Sequence, residues 1–373
     1  MNIYFDENMP FAREFFQELN GKANTLIPFN GRQLEANELI DADVLLVRSI
    51  TKVTKALLNN SPNVRFVGTA TIGVDHINRA DLSDLGVYFT SAPGCNAISV
   101  AEYVISSLVV LAERYQFAIK EKSVGIIGAG NTGSRLSEKL TALGIEHVLC
   151  DPILEKGDDT RAFVDVETAL ACDVISLHVP LTIDGECPTY HLLSEQRIKA
   201  LREDQIVINA CRGEVADNHA FLARKKSGSA LKLVLDVWEN EPNVLQELIP
   251  FTEIASAHIA GYSLEGKARG TEMLYLALCH QLGISAEKQL SDFLPKPAIS
   301  EVKINNEIDD ILLNQLVKMV YDVRRDDAIF RQQLNQIGFD QIRKTYPARR
   351  EFSSLSIAGE SPMLGTLSRL GFK

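Results

Sequence analysis

A glycine-rich loop between an apolar run and a helical pattern constrains the fold more than any other feature of the chain. Residues 124–127 are apolar, and the sequence GAGNTG follows directly at 128–133. Helical spacing of apolar residues then continues to Leu143, and Asp151 ends the next apolar run, 18 residues after the last glycine. This order of strand, glycine loop, helix and acid predicts a βαβ unit that binds a dinucleotide.

The residues of this loop have separate roles in such binding. Gly128 permits a tight turn, Gly130 lets backbone N–H groups approach a pyrophosphate, and Gly133 lets the helix pack closely on the sheet. The helix N-terminus supplies partial positive charge to the phosphates. Asn131 and Thr132 belong to the same turn, so all five residues are predicted to bind the cofactor.

Asp151 distinguishes between two dinucleotides. Its carboxylate can accept hydrogen bonds from the adenosine ribose hydroxyls, whereas a 2′-phosphate beside it would cost about 1–4 kcal/mol. Residues 152–155 contain no arginine to offset that repulsion. The sequence therefore favours NAD over NADP, and the alternative is a structural turn that binds nothing.

Strand and helix patterns alternate along most of the 373 residues, which predicts an α/β fold with parallel sheets and more than one domain. A long apolar helix is predicted over 97–115, and about six βα units follow it, the content of one doubly wound Rossmann sheet. Beyond a Pro-Lys-Pro linker at 295–297, a charged helical run is predicted over 312–331. The first 96 residues contain four predicted strands: Ile3–Phe5, Val44–Val47, Arg65–Gly68 and Val87–Thr90.

Composition excludes several classes of protein. The net charge of −11 makes nucleic acid and anionic membranes poor partners. The six cysteines are scattered and form no C-x-x-C pair, so we expect reduced thiols in a cytoplasmic protein rather than disulfides or a metal site. We find no signal peptide and no apolar stretch long enough to span a bilayer, so no membrane association is expected.

Three downstream motifs supply candidate catalytic residues where strands give way to loops. Arg212 lies in 208–214, Glu241 lies in 236–242, and His258 lies in 256–262. Ligands of an open α/β sheet bind at the carboxyl ends of its strands, so these loops can converge beside the nicotinamide. His258 can act as a general base, and the carboxylate of Glu241 can orient its imidazole. The guanidinium of Arg212 can hold a substrate carboxylate, so no metal is required. Each residue alone is more often structural, but the three in order indicate catalysis.

This ordered set resembles the D-2-hydroxyacid dehydrogenase family. The resemblance implies an α/β fold in which a doubly wound, parallel-sheet Rossmann domain for NAD is inserted into a flavodoxin-like substrate domain, followed by a C-terminal α+β dimerisation domain. It also implies catalysis by Arg212, Glu241 and His258. The implied domains are 1–96 with 259–285 for substrate, 97–258 for NAD, and 286–373 for homodimerisation.

Finer motifs resemble one branch of that family, which oxidises 4-phosphoerythronate at C2 to 2-oxo-3-hydroxy-4-phosphobutanoate in pyridoxal 5′-phosphate (vitamin B6) biosynthesis. The motifs lie at 6–10, 47–52, 68–71, 92–97, 258–270 and 321–327. Substrate contacts are implied for Ser49, Thr71 and Tyr262. Cofactor contacts are implied, besides the glycine loop, for Asp151, Val179, Ala210, Cys211, Asp236 and Gly261. Val179 stands where some relatives have threonine, so only a backbone contact to NAD would survive there.

Several alternatives remain open at this point. The hydroxyls of Ser49 and Thr71 suit a phosphate, with Arg48 or Lys52 as counter-charge, but Arg48 could instead pair with Asp6 or Glu7. The substrate could be another acid, of the 3-phosphoglycerate or glyoxylate and hydroxypyruvate type. The chain could also be an NAD-sensing scaffold like the corepressors of this superfamily.

Overall fold

A computed structural model describes residues 1–305 and 307–373, and the chain divides into two compact units. The first consists of Met1–Asn96 and Ser263–Pro295, and the second of Ala97–Tyr262 and Lys296–Lys373. Each unit contains a large sheet whose strands all run parallel, which confirms the predicted α/β class. Among the described helices, none has the length and apolar composition needed to cross a membrane.

The sheet of the first unit has five strands in the order β4-β1-β5-β6-β7. Counting only these five along the chain, the order is 2-1-3-4-5, which is the flavodoxin-like arrangement. Four of them are the predicted strands, whereas β4 carries Pro28 and is half-exposed, so no apolar pattern indicates it; as an edge strand it tolerates the missing N–H. The strands are β1 Asn2–Asp6, β4 Thr25–Phe29, β5 Val44–Val47, β6 Phe66–Thr69 and β7 Tyr88–Thr90, with a separate hairpin of β2 Glu18–Leu19 and β3 Lys22–Ala23.

A long helix from later in the chain completes the first unit. The side chain of Ser263 caps its N-terminus by accepting from the N–H of Gly266, and Gly283, at φ 65°, ends it. A Cβ at Gly270 would lie 2.8 Å from the carbonyl oxygen of Ala70, so the helix backbone contacts the loop after β6. The helices of this unit are α1 Ala12–Phe16, α2 Lys55–Leu58, α3 Arg79–Asp84 and α10 Leu264–Leu282, with 3₁₀ turns at Ala36–Leu39 and Leu290–Asp292.

The larger sheet of the second unit has six strands in the order β13-β12-β11-β10-β8-β9. The direction of strand addition reverses between β8 and β10, and such a switch point is where open α/β sheets bind ligands. Three of the central strands, β8, β10 and β11, are buried at every residue, as expected of a sheet covered on both faces. The strands are β8 Val124–Ile127, β9 His147–Cys150, β10 Val174–Leu177, β11 Ile206–Asn209, β12 Lys232–Leu235 and β13 Ile254–Ala255.

Helices cover this sheet, and the predicted helix over 97–115 forms with those bounds. It is buried along most of its length and packs against the helix that follows the glycine loop. The helices are α4 Ala97–Tyr115, α5 Asn131–Leu143, α6 Pro152–Glu155, α7 Val166–Leu170, α8 Glu195–Ala200 and α9 Asn218–Lys226, with 3₁₀ turns at Ile119–Glu121, Gly213–Val215 and Gln246–Phe251.

The C-terminal segment is helical with one small parallel sheet. The predicted single helical run over 312–331 is wrong, because the chain forms two helices that are separated around Tyr321. The hydroxyl of Ser106, from α4, donates to the carbonyl of Tyr321 and accepts from the N–H of Val323, so a side chain takes the bonds that would continue the helix. The elements are β14 Glu301–Ile304, α11 Asp310–Val320, α12 Arg324–Ile337, α13 Phe339–Lys344, a 3₁₀ turn at Phe352–Ser354, β15 Ser356–Gly359 and α14 Leu364–Leu370.

A buried ion pair connects this segment to the Rossmann-type part of the unit. Glu102 of α4 accepts from the ammonium of Lys139 of α5 at 3.2 Å and from the N–H of Phe352 at 3.1 Å. The same ammonium donates to the carbonyl of Leu370 at 2.5 Å. Burial raises the pKa of Glu102 to about 7, although Lys139 opposes that rise. Ionising this carboxyl therefore costs free energy in the folded state.

We predict that Glu102→Gln removes part of the pH dependence of stability. The folded pKa of Glu102, about 7, exceeds its ordinary value of 4.5, so its contribution is complete below the lower value and is lost as pH rises through the higher one. Relative to the variant, the wild type should lose up to about 3 kcal/mol between pH 5 and 8. Denaturant unfolding at both pH values measures this difference, and parallel pH profiles for the two proteins would contradict it.

Candidate active site

The glycine loop is closed to side chains at two positions and open at one. At Gly128, whose φ is 94°, a Cβ would lie 2.6 Å from the carbonyl group of His178. At Gly133 it would lie 2.0 Å from the carbonyl oxygen of Gly128, whereas at Gly130 it would meet no described atom within 4 Å. Helix α5 begins at Asn131, so its first N–H groups, including that of Thr132, follow the open position. A cradle of this kind fits the pyrophosphate of a dinucleotide.

The carboxylate of Asp151 lies against this loop at the end of β9. It accepts from the N–H of Ala129 at 3.0 Å and from the N–H of Leu154 at 3.1 Å, where it caps α6. Each carboxylate oxygen has a further lone pair, so the group can also accept from ribose hydroxyls. The predicted acid therefore stands beside the predicted phosphate cradle.

An arginine that the sequence motifs did not indicate also reaches the loop. Arg161 donates to the carbonyl of Ala129 at 2.9 Å and to the hydroxyl of Ser134 at 2.9 Å. Its guanidinium also makes a two-pronged ion pair with Asp159, with distances of 3.0 and 2.6 Å. The pair has no net charge, so the preference for NAD argued from Asp151 is retained. No local pattern signals this contact, because the chain returns to the loop from beyond α6.

The residues that follow β10, which borders the switch point, and those that follow its neighbour β11 lie at the carboxyl edge of the same sheet. His178 is half-buried, and desolvation of its imidazole lowers its pKa to about 4. A Cβ on Gly128 would approach the backbone nitrogen of Val179 to 2.8 Å, so the backbone of Val179 lies against the glycine loop. Ala210 is half-buried and Cys211 is buried where β11 ends. All these positions are within the second unit.

A buried carboxylate holds the loop after β13. Asp236 accepts from the hydroxyl of Ser256 at 2.6 Å and from the N–H groups of Ile259 and Ala260 at 2.8 and 2.9 Å. Burial raises the pKa of Asp236, while the positive charge of His258 and these hydrogen bonds oppose the rise. Gly261 follows directly in this loop. The predicted cofactor residue Asp236 is therefore also the anchor of the segment that carries the candidate base.

His258 and Glu241 form a hydrogen-bonded dyad. The imidazole Nδ1 and the carboxylate Oε2 are 2.8 Å apart, and the other carboxylate oxygen accepts from the N–H of Trp238 at 3.0 Å. Burial raises the pKa of Glu241, but the charge of His258 and the two hydrogen bonds outweigh burial, so its pKa is below the ordinary value. Glu241 is therefore ionised at neutral pH, and Nε2 of the 31%-exposed imidazole is left for proton transfer.

The loop that carries Arg212 contacts the loop that carries Glu241. The side-chain amide of Asn209 donates to the carbonyl of Arg212 at 2.9 Å and accepts from the N–H of Cys211 at 3.2 Å, which fixes the turn after β11. At Gly213 a Cβ would lie 1.9 Å from the carbonyl carbon of Trp238, so the two backbones touch. The three candidate catalytic residues thus come from three successive strand ends at one edge of the second sheet.

Tyr262 contacts two side chains of the C-terminal segment. Its ring makes an edge-to-face contact with Tyr346 at 6.0 Å, and the guanidinium of Arg343 lies 5.5 Å from its centroid. Neither Arg343 nor Tyr346 belongs to a sequence motif, and both follow Tyr262 by more than 80 residues, so no local pattern indicates them.

The remaining substrate candidates belong to the first unit. Ser49 is exposed after β5, and Thr71 follows the neighbouring strand β6, so both stand at the carboxyl edge of that parallel sheet. The hydroxyl of Thr71 donates to the carbonyl of Gly73 at 2.9 Å and pairs with that of Thr69 at 2.7 Å. In the same unit, burial lowers the pKa of Lys267 to about 8, and the charge of Arg48 adds to this effect.

Comparison with known proteins gives matches over the whole chain. The family described as D-isomer specific 2-hydroxyacid dehydrogenase, NAD binding domain, matches residues 108–260, and a domain of unknown function (DUF3410) matches 293–371. The erythronate-4-phosphate dehydrogenase of Colwellia psychrerythraea is 59% identical over 100% of this chain and 99% of its own length. That of Tolumonas auensis is 53% identical with the same coverage.

Solved structures share the fold at lower identity. D-Lactate dehydrogenase of Aquifex aeolicus, complexed with NAD and lactic acid, is 24% identical, with a TM-score of 0.57 over 76% of this chain and 96% of its own. NAD-bound 3-phosphoglycerate dehydrogenase of Entamoeba histolytica is 21% identical, with a TM-score of 0.64 over 79% and 99% of the two chains. At these identities the likeness establishes the fold alone.

We predict that two alanine substitutions in the glycine loop have different effects. Gly130→Ala should leave the melting temperature near that of the wild type, because the added methyl group would meet no described atom within 4 Å. It should weaken NADH binding at least about tenfold, because the methyl group would occupy space where the pyrophosphate is proposed to lie. Gly133→Ala should lower the melting temperature and also weaken NADH binding, since its Cβ would collide with the backbone of Gly128. Thermal melting and NADH fluorescence titration measure the two effects. Wild-type NADH affinity in Gly130→Ala would contradict the assignment.

Proposed function

We propose that this chain, which belongs to the erythronate-4-phosphate dehydrogenase family of D-isomer specific 2-hydroxyacid dehydrogenases, oxidises 4-phospho-D-erythronate at C2 with NAD. The product would be 2-oxo-3-hydroxy-4-phosphobutanoate, in the biosynthesis of pyridoxal 5′-phosphate (vitamin B6). The observation that carries the proposal is the hydrogen bond of 2.8 Å between His258 and an ionised Glu241. This pair supplies the base that alcohol oxidation needs.

The cofactor would be held by the glycine loop and the neighbouring strand ends. NAD, when bound, accepts the hydride that leaves C2. The open position at Gly130 supports a pyrophosphate there, and the carboxylate of Asp151 beside the loop supports contact with the adenosine ribose. The proposed cofactor-binding residues are Gly128, Gly130, Asn131, Thr132, Gly133, Asp151, Val179, Ala210, Cys211, Asp236 and Gly261.

The chain's own residues would move the proton. The Nε2 atom of His258 would take the proton of the C2 hydroxyl, and the imidazolium that forms would be stabilised by the carboxylate of Glu241. Arg212 would hold the substrate carboxylate in a two-pronged contact and polarise the C2 oxygen. The depressed pKa of Glu241 supports this division, because that carboxylate stays charged through the reaction. Ser49, Thr71 and Tyr262 are proposed to contact the rest of the substrate.

The segments of the chain would divide this work. We infer a substrate domain from 1–96 and 259–285, an NAD-binding domain from 97–258, and a dimerisation domain from 286–373. The parallel sheet and glycine loop of the second unit support the second assignment. The six cysteines are free, which supports a function in the reducing cytoplasm.

A substrate panel tests the proposed function. Purified chain and NAD would be assayed by NADH absorbance with 4-phosphoerythronate, 3-phosphoglycerate, glycerate and unphosphorylated erythronate. We expect 4-phosphoerythronate to give the highest kcat/KM. Faster turnover of 3-phosphoglycerate would change the substrate assignment, and no turnover of any acid despite NADH binding would favour an NAD-sensing scaffold.

We predict that His258→Ala separates catalysis from cofactor binding. Loss of the general base should lower kcat by about a hundredfold to ten thousandfold, whereas NADH affinity should stay near that of the wild type. The matched control is His280→Ala, which removes an exposed imidazole from α10 and should keep full activity. Full activity in His258→Ala would exclude His258 from the mechanism.

We predict that the chain is a homodimer through its C-terminal segment. Large apolar side chains are exposed there: Ile299, Ile311 and Met319 are 51%, 69% and 47% exposed. Sedimentation velocity should give the mass of two 41.2 kDa chains, and Ile311→Asp should shift it toward one. The control is Ile183→Asp, at a residue 72% exposed in the NAD-binding segment, which should remain dimeric. A wild-type monomer would contradict this assignment.

A further inference from the structure

An arginine from the C-terminal segment lies against the ring of Tyr262. Arg343 belongs to α13, and its guanidinium is 5.5 Å from the centroid of Tyr262 and 6.0 Å from that of Phe339. Tyr262 follows His258 by four residues in the loop that Asp236 holds. The guanidinium therefore stands beside a proposed substrate contact, between two aromatic rings that restrict its orientation.

The positive charge of Arg343 lies near Tyr262 and interacts with the candidate catalytic residue Glu241. Its Nε–H is buried and meets no hydrogen-bond acceptor among residues 1–305 and 307–373. Burial lowers the pKa of this guanidinium, but Tyr262 and the carboxylates of Glu241, Asp340 and Asp236 outweigh burial and raise it. The buried Nε–H without an acceptor is costly unless a ligand accepts a hydrogen bond from it.

The proposed substrate needs a second cation. It carries a carboxylate at one end and a phosphate at the other, and the chain has a net charge of −11 that repels both. Arg212 accounts for the carboxylate only. A guanidinium suits a phosphate because its parallel N–H groups match two phosphate oxygens, and stacking on an aromatic ring fixes its orientation before the ligand arrives.

We propose that Arg343 binds the phosphate of the substrate beside Tyr262. This inference rests on the proposed function and names the group that distinguishes the phosphorylated acid from its unphosphorylated counterpart. It also gives a role to the region of unknown function at 293–371, which contributes a substrate-binding residue to the active site of its own chain.

A positioning role is the competing explanation. The charge of Arg343 is one of the effects that lower the pKa of Glu241. If Arg343 acted only through Glu241, its removal would weaken the His258–Glu241 dyad and lower turnover of every substrate alike. Phosphate binding instead predicts a loss that is confined to phosphorylated ligands, so the two roles separate by substrate and by pH profile.

The test compares Arg343→Met and Arg343→Lys with Lys344→Met, a control at the exposed neighbour on α13. Each full-length protein is assayed with NAD and 4-phosphoerythronate or erythronate, and with inorganic phosphate as competing ligand. We expect Arg343→Met to lower kcat/KM for 4-phosphoerythronate at least about a hundredfold, to leave that for erythronate unchanged, and to abolish inhibition by phosphate. Arg343→Lys should lose about tenfold, because it keeps the charge but not the fork. The control should match the wild type.

Three results would overturn the inference. They are an equal loss on both acids with a shifted pH profile, no loss on either acid, or unchanged phosphate inhibition in Arg343→Met. If Arg343→Met melts early or fails to bind NADH, the lysine variant decides the question by the same comparison of substrates. Failure of the proposed function is seen separately, as absence of 4-phosphoerythronate turnover by the wild type.

Discussion

The buried carboxylate of Asp236 is the interaction on which the active-site loop depends. His258 has φ 55°, a left-handed conformation that costs a residue with a Cβ about 1–3 kcal/mol, and its N–H donates to the backbone carbonyl of Asp236 at 2.6 Å. The carboxylate then takes the next two N–H groups and the hydroxyl of Ser256, which is also 3.0 Å from the hydroxyl of Tyr103 in α4. The strained turn persists because a buried acid satisfies its donors, and the imidazole is thereby directed at Glu241.

The C-terminal segment supports the same loop from the other side. Arg349 is buried with its guanidinium 3.8 Å from the ring centroid of Tyr321, and it donates to the carbonyls of Ser99 and Ala260 at 2.6 and 2.9 Å. Ala260 is one of the residues whose N–H Asp236 holds, so both the backbone N–H and the backbone carbonyl of Ala260 are fixed. With the Glu102–Lys139 ion pair, this makes the segment part of the core of the second unit rather than an appended tail.

Local patterns predict the fold well where side chains alternate between sheet and solvent or are buried throughout. Strands such as Val44–Val47 and Ile206–Asn209, and the helix Ala97–Tyr115, follow directly from continuous apolar runs, and the glycine loop from steric need. Strand β4 was missed because Pro28 and partial exposure remove the signal. The break at Tyr321 was missed because the competing hydroxyl of Ser106 comes from a helix more than 200 residues earlier.

The same distinction explains which site residues a sequence can indicate. Motif residues such as Asp151 and Glu241 lie in the loops that follow strands, and parallel topology alone brings those loops to one edge of the sheet, so order along the chain predicts proximity. Arg161 and Arg343 approach through tertiary contacts whose geometry depends on packing of loops and short helices. For Arg161 the neighbouring Asp159 neutralises the charge, whereas Arg343 meets aromatic rings and leaves a buried donor unsatisfied. The groups that surround the guanidinium of an arginine therefore indicate its role better than its position in the chain does. Those groups are identified by the structure and not by the sequence.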